Sequence, residues 1–567
     1  MAVILATEGA SANAGYVNPN VTAALRSFAV DYWPTHTADA DLVPGAYAMA
    51  PAWPPAVPKV VGAVAAVSYF DDFYNRIHIA PSRIDLGNLI SVQTRSVVVW
   101  NAWPDQSRSL TALDLVAAGG ITATGEGALP LAFAPLQQRT WSIAVGTDGP
   151  AVIAATLSWL FAGLDPIPVE ITGNRLTAWT IPPVWHNGVL ERLEWLTEVQ
   201  RGADGSEDAY PLRDTPRRTW EFDVRVAAAN RWLLEATLYD WSARNWAFPV
   251  SPDASVLAAL LPAASSSIPL ATANLDYAIG GLAMLWSSPT SYELVEIADI
   301  QANALLLVRP TVSEWPRGSR VYPTRIAQLA DRPQLQRPTS RRADAHVRME
   351  AIEPCDWPAV PPATMYAGYP VLEHADEVST VPTVVYERDL DVLDDDIGPI
   401  SVDDLTGLAW PQQSHAWKLN GRAARASHRS LLYYFAGRAN FVWLSSGQDD
   451  IELAALVGAT AATMDIAWCG YTRFGRGQAG RKHLRIELVD GTVFHRAITT
   501  WAEVDVATER LGINAQLARD VSPEQVARIS FLSLRRLAGD AVEIQHLTDS
   551  EGAAACSVQF AGAPGNE

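Results

Sequence analysis

Alternation is the feature that most restricts this chain. Over residues 75–172, in "RIHIAPSRIDLGNL", "SVVVWNAW" and "TWSIAVGTDGPAVIAATLSWLF", apolar side chains return at every second position in short runs, and Gly, Pro or Asp closes each run. Period two belongs to a strand with one buried face, whereas a helix needs 3.6. Several such runs in close succession build stacked sheets or barrels. Apolar residues make up 49% of the chain and charged ones 18%, so cores of this kind can be filled and a disordered polymer is excluded. The 567 residues suffice for roughly three or four domains. The expected fold class is mainly β, as several β-sandwiches and barrels.

Residues 1–60 depart from the pattern. "YWPTHTADADLVPG" and "PAWPPAVPKV" are rich in Pro and Trp, and repeated Pro forbids regular helix. This reads as an extended arm lying on neighbouring protein. Residues 61–172 read as one sandwich. From 173 a new layout begins. "PPVWHNGVLERLEWLTEVQRGADGSEDAYPLRDTPRRTWEFDVRV" runs strand, Gly-rich turn, charged turn, strand. "AANRWLLEATLYDWSARNW" then carries Trp232, Leu233, Ala236, Leu238, Tyr239 and Trp241 at helical spacing. Strands follow in "WAFPV", "SYELVEIADI", "ALLLVRP" and "SRVYPTRIAQL".

Residues 384–450 repeat that order: strand, acidic turn, Trp-bearing strand, helix, aromatic strand, polar turn. Trp220 aligns with Trp417, and "LYDWSARNWAF" with "LYYFAGRANFVW", which sets Leu238 on Leu432, Arg244 on Arg438, Trp246 on Phe441 and Phe248 on Trp443. Downstream, "SRVYPTRIAQLADRP" has a counterpart in "EQVARISFLSLRRLAGD". A unit of about 150 residues is too long for a solenoid repeat. It reads as a tandem duplication, 173–355 and 356–567, each copy with a flanking helix and a barrel extension.

Two resemblances attach to these residues. The stretch 79–103, with Pro81, Asp85, Gly87 and Asn101, resembles immunoglobulin-like domains, which implies a binding or spacer module. The duplicated part resembles the distal-tail and tail-tip hub (baseplate) proteins of long-tailed bacteriophages and gene-transfer agents. The matching residues are Gly205 and Glu207, then Arg213, Arg217, Arg218 and Trp220, then Arg244, Trp246, Phe248 and Asp253; in the second copy Arg438, Phe441, Trp443 and Asp449. The second copy lacks the arginine-rich stretch and has "WPQQSHAW" instead.

The resemblance implies a structural virion protein: a ring at the tail tip that joins the tail tube to the tip and leaves a channel for DNA. Its partners would be further copies of itself, the tail tube, the tape-measure protein and central tip or fibre proteins, with DNA only in transit. It would be made in the host cytoplasm and reside in the virion. Two domains per chain allow six units from three chains, a trimeric hub; one domain per chain in the ring gives a hexamer. In such a ring Arg213, Arg217, Arg218, Arg244 and Arg438 are candidate subunit contacts, because a guanidinium binds a carboxylate through two parallel hydrogen bonds. The other reading of the arginine stretch is an exposed charged turn of little energetic weight. Trp220, Trp246, Trp417 and Trp443 are candidates for core or subunit contact.

Charge and motifs limit the alternatives. A formal net charge of −20 opposes wrapping around nucleic acid, which needs phosphate neutralisation, and suits a channel that DNA passes without adhering. Three scattered cysteines, Cys355, Cys469 and Cys556, make neither a disulfide framework nor a zinc site. No apolar run is long enough to span a bilayer, and "MAVILATEGA" lacks the basic start of a signal peptide. "GRGQAG" (475–480) precedes a strand rather than opening a helix, so it is a loop and not a dinucleotide fingerprint. Asp394, Asp395 and Asp396 lack EF-hand spacing and read as a solvated turn. His483 and His495 flank a hairpin with no metal-ligand spacing beside them. No enzymatic motif, cofactor or metal is expected. The alternative function is a carbohydrate- or receptor-binding baseplate protein, with some of the 21 tryptophans exposed to stack on sugars.

Overall fold

A computed structural model describes residues 69–567, apart from 148, 203–204, 241–243, 374–382 and 550–551. The Pro- and Trp-rich arm and Trp241 lie outside the described residues. The chain is mainly β, in several antiparallel sheets, and divides into two compact units, Met1–Leu176 and Thr177–Glu567.

In the first unit one antiparallel sheet holds Ile77–Ala80, Gln93–Asn101, Gln138–Val145 and Ile121–Thr124. A second joins Arg108–Val116, Leu131–Phe133, Val152–Phe161 and the strand from Ile167, with Arg83–Leu89 added in parallel. Both sheets feed one core that includes Val97, Trp141, Ile143, Leu157, Trp159 and Val169. Val152–Phe161 shows the cause: its odd-numbered residues are buried and its even-numbered ones are not. Asn101 is fully buried, and its amide nitrogen donates to the carbonyls of Gln106 (2.9 Å) and Ala134 (3.0 Å). It ties the segment at Gln106 to the turn at Ala134.

The second unit contains one strand pattern twice. We number its strands β1 Val189–Glu194, β2 Arg217–Ala227, β3 Asn245–Pro249, β4 Ser267–Pro269, β5 Leu282–Ser288, β6 Ser291–Gln301, β7 Ala304–Leu307, β8 Arg320–Leu329, β9 Gln336–Thr339 and β10 Arg342–Ala351. The second series is β11 Val384–Leu393, β12 Ser401–Asn420, β13 Val442–Ser445, β14 Thr463–Ala467, β15 His483–Leu488, β16 Val493–Glu503, β17 Thr508–Ile513, β18 Val526–Leu537, β19 Ala541–His546 and β20 Ala553–Gly562. Helix α1 (Ala229–Thr237) follows β2, and α2 (Gly421–Phe435) follows β12.

Nine antiparallel pairings of the first series recur in the second when ten is added to each label. In the first they are β1·β2, β2·β10, β3·β8, β8·β10, β5·β8, β5·β6, β6·β7, β4·β7 and β9·β10. Their counterparts run from β11·β12 to β19·β20. The two sequence segments aligned above, "SRVYPTRIAQLADRP" and "EQVARISFLSLRRLAGD", contain β8 and β18.

Two details of the sequence alignment shift: with Leu329 on Leu537, the ladders match Trp246 and Phe248 to Val442 and Leu444, one residue beyond Phe441 and Trp443. Trp220 pairs with Met349, and Leu329 pairs with the same Met349; in the second series Gln413 and Leu537 share Phe560 in the same way. Trp220 therefore corresponds to Gln413, four residues before Trp417. A slip of four preserves the face on which a strand residue lies, so alternation could not detect it.

The helices differ in what they bury. α2 turns Leu432, Tyr433 and Phe435 into the core. α1 buries only Leu234, while Trp232, Ala236 and Tyr239 are exposed. Apolar residues surround that short helix on several sides, so their spacing did not single out the buried face.

Candidate interaction surface

Strands from both series merge into one antiparallel sheet, in the order β9–β10–β2–β1–β19–β20–β12–β11. The first four belong to one series and the last four to the other, in corresponding order. They are joined by β1 and β19, which pair from Val189↔His546 to Glu194↔Ala541. Gly188 makes this joint possible: its φ is +71°, and a Cβ there would lie 2.2 Å from the carbonyl oxygen of His546.

One face of the sheet packs on the two cores and the other is polar. Arg192, Glu194, Arg217, Glu221, Asp223, Arg225, Asp344, His346, Arg348 and Glu543 alternate with buried neighbours on their strands. Many are paired across strands: Arg192 with Glu543 at 3.4 Å across the joint, Arg348 with Glu221 at 3.3 Å, Arg225 with Asp344 at 3.3 Å, and His346 with Asp223 at 3.0 Å. The face mixes both signs of charge rather than concentrating the chain's acidity.

Behind the joint lies a buried ionic cluster. Glu191, on the inward side of β1, accepts from Arg218 Nε at 2.6 Å, Arg429 Nη2 at 3.1 Å and His546 Nε2 at 2.8 Å. Arg218 also pairs with Asp276, which pairs in turn with Arg325 on β8. From α2, Arg429 reaches Asp253 at 3.3 Å, and Arg422 donates to the carbonyl of Ala254 at 3.0 Å. Glu191, Arg218, Asp276, Arg325 and Asp253 come from one series; Arg429 and His546 come from the other.

Burial alone would raise the Glu191 carboxyl, but Arg218, Arg429 and His546 hold it well below the usual carboxylate range. Asp276 is lowered in the same way, against burial, by Arg218 and Arg325. Burial pushes the His546 imidazole down despite its bond to Glu191. Both Glu191 oxygens are engaged by donors, so the cluster acts as a fastening that keeps its charges in one register.

The candidate interface arginines fall in different surroundings. Arg218 is 1% exposed and pairs with Glu191 and Asp276 of its own chain. It lies on the inward side of β2, where desolvation demands a partner. Arg213 donates to the Glu194 carbonyl at 3.2 Å, and Arg244 to Thr177 Oγ1 at 2.5 Å. Arg438 donates to the Thr197 carbonyl at 2.6 Å and pairs with Asp540 at 3.3 Å. Arg217 alone of the five is exposed, on the open polar face. Trp220, Trp246, Trp417 and Trp443 are all buried, and Trp443 Nε1 donates to the Tyr366 carbonyl at 2.8 Å.

His483 and His495 do come together, each within 5.6 Å of the Tyr366 ring by centroid. Tyr366 shares a hydrogen bond with His483 Nδ1 at 2.9 Å, and His495 pairs with Glu373 at 3.1 Å. Among the described residues no group of three His, Cys, Asp or Glu is arranged to hold a metal. Asp394 and Asp395 accept from the backbone of 396–398 and shape a hairpin tip. In the first unit Trp103, Trp141 and Trp159 are buried, and Trp100 is half-buried and stacked on His78.

The sequence reading missed Glu191, Asp276, Arg325, Arg429 and His546. A signal for the first existed: in "VLERLE" Glu191 shares parity with Val189 and Leu193, so a charge stands where alternation demands an apolar residue. No protein-family model and no curated protein matches this chain.

Proposed function

We propose that this chain is a structural ring protein of a bacteriophage-type tail tip, a hub that joins the tail tube to the tip and leaves a channel for DNA. The observation that carries the reading is the head-to-tail sheet, in which two equivalent four-strand units meet at β1 and β19 and each end of the row is an unpaired edge among the described residues. A row of equivalent units related by a constant turn either closes into a ring or grows into a filament. Three chains bring six units to the ring. The polar, charge-paired face is suited to line a wet channel, and the resemblance of the arginine- and aromatic-bearing strands to tail-tip proteins supplies the setting.

Light scattering on the purified chain, with negative-stain images of the particle that contains it, tests this. A three-chain particle with six similar lobes around a hole is the expected result. A six-chain ring would keep the tail assignment and reject the pseudo-six-fold arrangement. A chain that remains single at every concentration and never appears in a ring would reject the proposal.

A further inference from the structure

We infer that the chain joins a second copy of itself by pairing β11 of one chain with β9 of the next, repeating between chains the β1–β19 pairing made within each. This deepens the ring reading and rests on it. The first strand of one series already pairs with the ninth strand of the other. The reciprocal pair, the first strand of the second series and the ninth of the first, is β11 and β9. Among the described residues β11 has only β12 beside it, and β9 only β10. An open strand edge is a template for pairing.

Packing at the existing joint shows what the new one needs. Leu193 and Trp195, at the end of β1, pack into the second core with Tyr433 and Val542, and the Trp195 and Tyr433 rings lie 5.7 Å apart. At the corresponding place in the first series is a groove of about 990 Å³, bounded by Leu234, Leu238, Leu335 and Val347. Matching the ladders sets Tyr386 of β11 on Leu193 of β1, since Leu193 pairs with Arg218 two residues before Trp220, and Tyr386 with Pro411 two before Gln413. Tyr386 is 61% exposed. It is the side chain that would enter the groove of the next copy.

Charge and exposure agree. β12 joins β20 only from Gln412 onward, so residues 388–408 form a two-stranded arm with no third strand paired to it among the described residues. Leu390, Val392, Leu393 and Val402 on this arm are exposed, and an isolated two-stranded hairpin is marginal in water. The matched register sets Glu387 opposite Arg332 and Arg388 opposite Asp331 of the next chain. The receiving edge is 332–337, the start of β9 and the residues before it. Opposite charges on complementary edges speed encounter and select the partner. Pro333 and Pro338 keep that edge from pairing indiscriminately.

The matched ladders place Val384 opposite Leu335 of the next chain, as Glu191 lies opposite Ile544. In a full-length chain carrying C469S, we would mix a V384C variant with an L335C variant under mild oxidation. Covalent dimers are expected in the mixture and not from either variant alone. Separately, an arm reversal (E387K, R388E) and an edge reversal (D331K, R332E) should each shift the assembly to single-chain mass, with the melting temperature unchanged. Combining both reversals in one chain should restore assembly. If the wild type forms rings while the mixture gives no cross-link and both reversals still assemble, this pairing is overturned and the ring reading stands. A wild type that stays single at all concentrations overturns both.

Discussion

Replacing Glu191 with Gln should lower the stability of the Thr177–Glu567 unit more than any other single charge removal at the sheet joint. The side chain keeps its volume, so the change isolates the charge. It leaves Arg218 and Arg429, both buried, without the carboxylate they share. Breaking a buried ion pair on one side costs about 3–5 kcal/mol. A unit of about 400 residues that unfolds cooperatively has an unfolding entropy near 0.8 kcal/mol/K, from about 2.1 cal/mol/K per residue. A loss of about 4 kcal/mol therefore lowers Tm by about 5 °C. Glu543→Gln is the control. It removes the acid from the exposed Arg192 pair on the same joint, whose worth is at most about 1 kcal/mol, or about 1 °C. Calorimetry of both variants at low and at 1 M salt separates the cases, because salt screens the surface pair and not the buried one. Hydrogen exchange should rise first in β19 and α2, the elements that Glu191 ties to β1. An E191Q shift no larger than that of E543Q would refute the argument that this cluster fastens the two series.

Three further outcomes follow from the same geometry. Trp443→Ala empties a buried indole site and removes the hydrogen bond to Tyr366, and should cost about 3–5 kcal/mol in chemical denaturation. His483 is pushed down to about 4, by burial first and Lys482 second, from an ordinary value of 6.5. Its contribution is present above pH 6.5 and declines as pH falls towards 4, because the unfolded chain takes the proton first; H483Q should flatten the stability curve over that window. Cys469 is exposed while Cys355 and Cys556 are buried, so a thiol reagent should modify one cysteine in the native chain and three after unfolding. That one should react slowly at pH 7, since burial and the neighbouring Glu509 push its thiol up.

Much of this protein was legible along the chain because strand character is local. A residue's face depends only on its parity, so alternation located Val152–Phe161, and it also held the key to Glu191, which stands at an inward position among apolar neighbours. The order of strands, helix and aromatic segments in the two series was readable for the same reason. Local rules do not carry the register between two copies, which is why Trp220 was set on Trp417 and not on Gln413.

Pairing partners and the direction of charged side chains needed the tertiary structure. Glu191 meets His546 across 355 residues of chain, and nothing local to either position names the other. Arg213, Arg217 and Arg218 look alike in sequence, yet one turns to a backbone carbonyl, one to the open face and one into a buried cluster. The sequence by itself determined the period-two strands, the turns between them and the order in which they recur, since these follow from steric and solvation preferences of neighbouring residues. The tertiary structure decided which edges close against each other and left β9 and β11 at the ends of the merged sheet, each with one partner among the described residues. Backbone hydrogen bonding is the same for every strand, so the choice of partner comes from the packing and charge of side chains brought together from distant parts of the chain.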